Sequence, residues 1–181
     1  MSRCLGNPAR TSSRRLVVDT VELVEIEALK QLKARYCRLL DAKDWQAWRG
    51  IFSDDFTSDT SKAGGKVIRG ADDFVAFTRN HLKKSSQATA HQVHAPELEL
   101  TSATTAVGIW ALEDVVRLAP GVNLRGYGHY HETYEKVDGQ WFIKTSTLTR
   151  LREDVFNPFV SVYVSDRMKR AGARIVRRLS K

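Results

Sequence analysis

The 181-residue chain is poor in cysteine and proline, with two of the former and four of the latter. Cys4 and Cys37 alone can build neither a disulfide scaffold nor a zinc cage. They fit a reducing compartment, so a cytoplasmic location is expected. No run of 18 apolar residues occurs, which excludes a conventional membrane-spanning helix. Acidic residues are missing from residues 1–18, which carry Arg3, Arg10, Arg14 and Arg15. At the other end, residues 166–181 hold seven basic residues against Asp166. The formal net charge of +8 therefore belongs to the two ends, and residues 19–165 net −2. A nearly neutral body argues against nucleic-acid binding and fits a protein that holds a small molecule. What is present is ordinary for one globular domain, with 42% hydrophobic and 28% charged residues.

Three parts are expected. Residues 1–18 read as a disordered basic tail, broken by Gly6 and Pro8. A secretory signal is not expected, because no apolar stretch follows the charges; the Arg/Ser-rich, acid-free composition also fits a transit peptide. Residues 19–157 form the body, and residues 158–181 a basic amphipathic helix or tail. In that last part Val164, Met168, Ala171, Ile175 and Leu179 recur at helical spacing, with Arg and Lys between them. Gly172 weakens such a helix by about 1 kcal/mol relative to Ala. The segment suits packing on the body or on a partner subunit; a frayed tail or a charged-surface contact are the alternatives.

Within the body, helical periodicity begins at Val21, where Leu29, Leu32, Tyr36 and Leu39 mark one stripe. Glu22, Glu25, Lys30 and Lys33 are assigned to the other faces. Asp44 is a suitable N-cap for a short second helix with a Trp45, Trp48 and Phe52 stripe. Residues 57–69 read as a loop or weak hairpin, and residues 71–83 as a third helix with Phe74, Phe77 and His81 on one stripe. The period then changes to two. Residues 90–100, 105–118, 125–137 and 140–151 read as four strands, the last pair joined by the Asp138-Gly139 hairpin signal. Helices followed by a meander predict an α+β fold with a curved, mainly antiparallel sheet.

Several residues could carry chemistry. Tyr36 sits on the apolar stripe, where a phenol needs a partner, whether backbone or ligand. Asp41 lies at the end of the first helix, where a carboxylate opposes the helix dipole. That hints at a further use, although an exposed turn would also hold it. In the His91-Gln-Val-His94 segment the odd spacing sends the two imidazoles to opposite strand faces, so one alone can point inward. His129 and His131 share a face but lack an evident third ligand, so no metal is expected. Asp114 is in phase with Trp110 and Leu112, and burial there demands a partner. A histidine on the neighbouring strand would supply one, giving an oriented base. Arg150 could bind a substrate carbonyl or make a structural ion pair.

The order of R-Y-x-x-x-L-D (Arg35–Asp41), D-W-x-x-W (Asp44–Trp48) and F-x-D-D-F (Phe52–Phe56) resembles SnoaL-like members of the nuclear transport factor 2-like superfamily. The later segments H-Q-V-H-A-P-E-L-E-L, T-A-V-G-I-W-A-L-E-D, G-Y-G-H-Y-H-E-T-Y-E-K-V-D-G-Q-W-F-I-K and L-T-R-L extend the resemblance over residues 21–152. It implies a cone-shaped α+β barrel whose curved sheet wraps N-terminal helices around an apolar pocket. Within the superfamily the set resembles scytalone dehydratases and bile acid 7α-dehydratases. By position, the resemblance implies His91 as a base with Asp114 as its partner, a Tyr36 and Asp41 pair from the first helix, and Trp110 and Arg150 toward the substrate. The implied activity is a cofactor-independent lyase, foremost a dehydratase of a hydrophobic cyclic ketone or enone such as a steroid, polyketide or aromatic compound. A double-bond isomerase, a C–C-cleaving lyase, or a non-catalytic ligand-binding or dioxygenase β-like subunit are the alternatives. No metal, cofactor, nucleic acid or membrane is called for, and a homo-oligomer, dimer or trimer, is expected.

Overall fold

The computed structural model describes residues 20–82, 84, 86–165, 167–168 and 170–172. Helix α1 spans Thr20–Ala42 and buries Leu29, Leu32, Tyr36, Leu39 and Leu40 along one stripe. Each fully buried leucine contributes about 1.5–3 kcal/mol. Lys33 falls on this stripe too and is fully buried, against the expectation that it would face solvent. The helix ends in a Schellman motif. Lys43 N–H donates to the Leu40 carbonyl at 3.1 Å and Asp44 N–H to the Leu39 carbonyl at 3.0 Å. The residue that turns the chain is Lys43, at φ +61°. Glycine is usual at such a position, and a residue with a Cβ costs about 1–2 kcal/mol in this conformation.

Helix α2, Trp45–Arg49, starts as expected at Asp44, whose carboxylate accepts from Ala47 N–H at 3.1 Å. It stops at Gly50, so Phe52 is not on its stripe but opens strand β1, Phe52–Asp59. Strand β2, Val67–Arg69, pairs antiparallel with β1, which settles residues 57–69 as a hairpin around a 3-10 turn at Ser61–Ala63. Helix α3 spans Ala71–Leu82. Phe74 is buried, but His81 is exposed and folds back onto the Phe77 carbonyl at 2.7 Å, so the expected stripe shortens. Trp48, Phe52, Phe56 and Phe74 pack as one aromatic cluster with ring centroids 4.5–5.5 Å apart.

The meander follows as β3 Thr89–Leu100, β4 Thr105–Ala119, β5 Val122–Val137 and β6 Gln140–Phe156. Asp138 and Gly139 take φ +50° and +81°, the pair of positive values a two-residue hairpin needs. The sheet order is β2-β1-β6-β5-β4-β3, antiparallel throughout except for the parallel β1 and β6 pair. It curves around α1 but does not close, so β2 and β3 remain edges. Edge position tolerates Pro96 in β3, where the register with β4 shifts between His94 and Glu97.

One strand was not anticipated. β7, Ser161–Tyr163, pairs antiparallel with the end of β6, so the sheet continues past residue 157. Asn157 makes the reversal: its side chain accepts from Phe159 and Val160 N–H, both at 2.8 Å. Of the expected C-terminal stripe, Val164 is outside a helix and Met168 is 49% exposed, while Ile175 and Leu179 lie outside the described residues. The expected basic tail at residues 1–18 also lies outside them. Among the described residues, no helix is long and apolar enough to cross a membrane.

Candidate active site

Alternation on β4 sends Trp110, Leu112 and Asp114 to the helix-covered face, and on β5 it sends Gly126, Gly128, Tyr130, Glu132 and Tyr134 there. The C-terminal end of α1 packs against β3, and this brings Asp41 to His91. The His91 ring donates from Nδ1 to Asp41 Oδ1 at 2.7 Å, and its backbone N–H donates to Asp41 Oδ2 at 2.8 Å. Thr89 adds a third hydrogen bond to the carboxylate, from its hydroxyl to Oδ1 at 2.8 Å. Burial pushes the Asp41 carboxyl upward, but these bonds and the nearby imidazole outweigh it and hold the group below the usual carboxylate range. The His91 side chain is 7% exposed and that of Asp41 26%, while His94 faces solvent, so His91 is the inward histidine.

Asp114 is buried in phase with Trp110 and Leu112, as expected, but its partner differs from the one expected. It stands opposite His91 across β3 and β4, yet its carboxylate is held by Arg150 in a two-pronged pair. Arg150 Nη1 reaches Oδ1 at 3.0 Å and Nη2 reaches Oδ2 at 2.6 Å. The imidazole's carboxylate is thus Asp41 and not Asp114. The reason is geometric: a fixed planar fork matches a carboxylate bidentately, and Arg150 engages both oxygens of Asp114 at once. Burial works against the Arg150 charge, but Asp114 more than compensates and raises its affinity for the proton. Gly126 lies beneath the pair, and a Cβ there would overlap Arg150 Nη1 and Asp114 Oδ1.

Tyr36 and Tyr130 meet edge to face with centroids 5.9 Å apart. Burial raises both phenols well above their ordinary range, so they stay protonated as donors; a hydrogen bond from Tyr130 offsets a little of this at Tyr36. Lys33 Nζ sits 4.1 Å from the Tyr36 ring centre and 3.7 Å from that of Tyr130. The ammonium donates to Glu132 at 2.6 Å, with both side chains fully buried. Glu132 also accepts from Tyr134 at 2.6 Å and Ser146 at 3.0 Å. Trp110, expected near a substrate, is 4% exposed, and its indole N–H donates to Tyr134 at 2.7 Å. It is therefore a member of this core network.

Sequence reasoning missed Thr89, Lys43, Tyr130 and the Lys33 and Glu132 pair. Two signals were present: Lys33 is four residues from both Leu29 and Cys37, and Glu132 alternates with Tyr130 and Tyr134. His129 and His131 lie on the opposite sheet face with ring centroids 6.2 Å apart. Among the described residues no group of three metal-ligating side chains occurs.

Comparison with known proteins places this arrangement in a family. The SnoaL-like domain model matches residues 21–147. A protein named as a probable cyclase from Gibberella zeae is 30% identical over 135 residues, covering 68% of this chain and 89% of that protein. A scytalone-dehydratase-like protein from Novosphingobium aromaticivorans superposes with a TM-score of 0.67 at 22% identity, covering 76% of this chain and 95% of that one. A hexachlorocyclohexane dehydrochlorinase from Novosphingobium barchaimii superposes with a TM-score of 0.66 at 17% identity, covering 82% and 96%. A matching model over residues 21–147, on a fold of N-terminal helices and a curved open sheet, leads to one conclusion: the chain belongs to the SnoaL-like domain family.

Proposed function

We propose that the protein is a cofactor-independent lyase in which His91 is the general base. The observation that carries this reading is the contact between His91 Nδ1 and the Asp41 carboxylate at 2.7 Å. An ionised carboxylate only accepts, so the proton sits on Nδ1 and the lone pair on Nε2. The backbone bond from His91 to the same carboxylate fixes the ring's base. His91 then removes a proton from carbon next to a substrate carbonyl. Tyr36, a protonated phenol, donates to the carbonyl oxygen as enolate charge develops. In a dehydration the C–H and C–OH bonds break and a C=C bond forms. The imidazolium returns its proton to the leaving hydroxyl, and water is released. Proton transfer of this kind contributes about 10²–10⁴-fold to rate. The relatives described above as a cyclase, a dehydratase-like protein and a dehydrochlorinase support a reaction begun by proton abstraction.

The substrate class we assign is a hydrophobic cyclic ketone or enone, because Leu112 and the aromatic ring of Tyr130 are buried on the sheet face that carries the site. The test is turnover on a panel of hydroxylated steroid, polyketide and aryl ketones, followed by loss of the mass of water. The wild-type protein is expected to dehydrate a member of the panel, and His91→Ala to lose this while keeping its circular dichroism. Full activity in His91→Ala would overturn the assignment.

A further inference from the structure

Lys43 poses a problem that the fold alone does not answer. It occupies the left-handed position that ends α1, at φ +61°, where glycine is free of strain. The backbone bonds of the motif, from Lys43 to Leu40 and from Asp44 to Leu39, need no side chain at this position. Yet the Lys43 side chain is directed with purpose. Its ammonium donates to Thr89 Oγ1 at 2.7 Å, and the Thr89 hydroxyl then donates to Asp41 Oδ1 at 2.8 Å. The ammonium can only donate to the threonine oxygen and the carboxylate can only accept, so the hydroxyl proton is directed toward Asp41. Asp41 Oδ1 is the same oxygen that receives His91 Nδ1–H. A single line thus runs from ammonium to hydroxyl to carboxylate to imidazole. It also answers the unfavourable placing of Asp41 near the negative end of a helix, since a cation two residues on offsets that field. Burial lowers the affinity of Lys43 for its proton, while Asp41 raises it, as fits a cation drawn inward by the carboxylate.

We propose that Lys43 is a positioning residue for the His91 base, acting through Thr89 and Asp41, and that local backbone strain is retained for this purpose. The proposal rests on the reading of His91 as the base. Its groups are Lys43 itself, Asp41 and Cys37 on α1, His91 on β3, Asp114 facing His91 from β4, and Arg150 of β6 beyond it.

The test compares Lys43→Gly, Lys43→Met and Lys43→Arg in the full chain. The readouts are the melting temperature and the downfield proton resonance of His91 Nδ1–H, neither of which needs a substrate. Lys43→Gly is expected to melt at or above the wild-type temperature while its His91 resonance broadens, with exchange against water about tenfold faster. Lys43→Met is expected to lose the resonance in the same way, and Lys43→Arg to keep it. On the ketone panel, kcat is expected to fall in the Gly and Met variants with KM little changed. Persistence of the His91 resonance in both would overturn the proposal. A fall in melting temperature in Lys43→Gly would do so too, because it would make the lysine a structural cap. Loss of the resonance with wild-type turnover would instead overturn the role of His91.

Discussion

His91 and Asp114 are directly opposed across β3 and β4, and each is held by a group from another element. His91 turns to Asp41 of α1, and Asp114 to Arg150 of β6. A hydrogen-bonded imidazole–carboxylate unit and an ion-paired guanidinium–carboxylate unit therefore sit side by side on one sheet face. The Asp41 side chain is 26% exposed and that of Asp114 3%, so the first unit is open to solvent and the second is shut away from it. This separates the two aspartates by role, and the two can be told apart by substitution.

Asp41→Asn leaves the shape of the site intact but offers an amide where the imidazole donates. Turnover on a substrate of the ketone panel is expected to fall about 10²-fold or more, as when a base loses its tautomer-fixing carboxylate. Initial rates beside unchanged circular dichroism check this. Activity within twofold of wild type would remove Asp41 from the machinery.

Gly126→Ala probes the second unit. A methyl group there overlaps both Arg150 Nη1 and Asp114 Oδ1, so the bidentate pair must separate or the strand must shift. Overpacking of this kind costs about 1–3 kcal/mol. Urea unfolding with an unchanged m-value is the measurement, and a stability equal to wild type would show that the pair can move aside.

The buried Lys33 and Glu132 pair gives a clear sign pattern. Lys33→Met leaves an uncompensated carboxylate among Tyr134, Ser146 and Trp110, a loss of about 3–5 kcal/mol. Lys33→Met combined with Glu132→Gln removes both charges and is expected to recover most of it. Denaturant midpoints of the single and double variants decide the point; equal midpoints would mean that water reaches the site in the single variant.

Stability should fall at both extremes of pH for different reasons. The Asp41 carboxyl is held below its ordinary 3.8 in the folded protein, mainly by His91 against the opposing effect of burial. Its contribution is present above that value and is lost as pH falls through the folded one. Burial raises the Cys37 thiol from 9.0 to about 11. There the unfolded chain loses its proton first, so stability declines as pH rises from 9.0 toward about 11. Two units correspond to about 2–3 kcal/mol. Cys37→Ala should flatten the alkaline decline, and an unchanged slope would assign it to the buried tyrosines.

The elements were legible where a single period dominates. The four long strands follow alternation, and Asp44 announces α2 by its side chain alone. Strand parity separated His91 from His94 but did not say which points inward; the 7% exposure of the His91 side chain decides that. Partner identity was not legible. Whether Asp41 or Asp114 receives the imidazole depends on how α1 docks on β3, a relation between residues 50 positions apart that no local pattern contains. Lys33 was assigned to the wrong face because charge was weighed above position on the stripe. Strand β7 escaped because three residues are too few for a period, and its cause is the turn at Asn157.

The long sequence separations within the site also bear on how the chain folds. Asp41 and His91 are 50 residues apart, Asp114 and Arg150 36, and Lys33 and Glu132 99. Each contact closes a large loop before it returns any stabilisation, and such topologies fold slowly. A partly folded chain can contain α1 and the β5–β6 hairpin while holding no paired imidazole. The His91 resonance would therefore serve as a late marker in refolding, appearing only once the helix has settled on the far edge of the sheet.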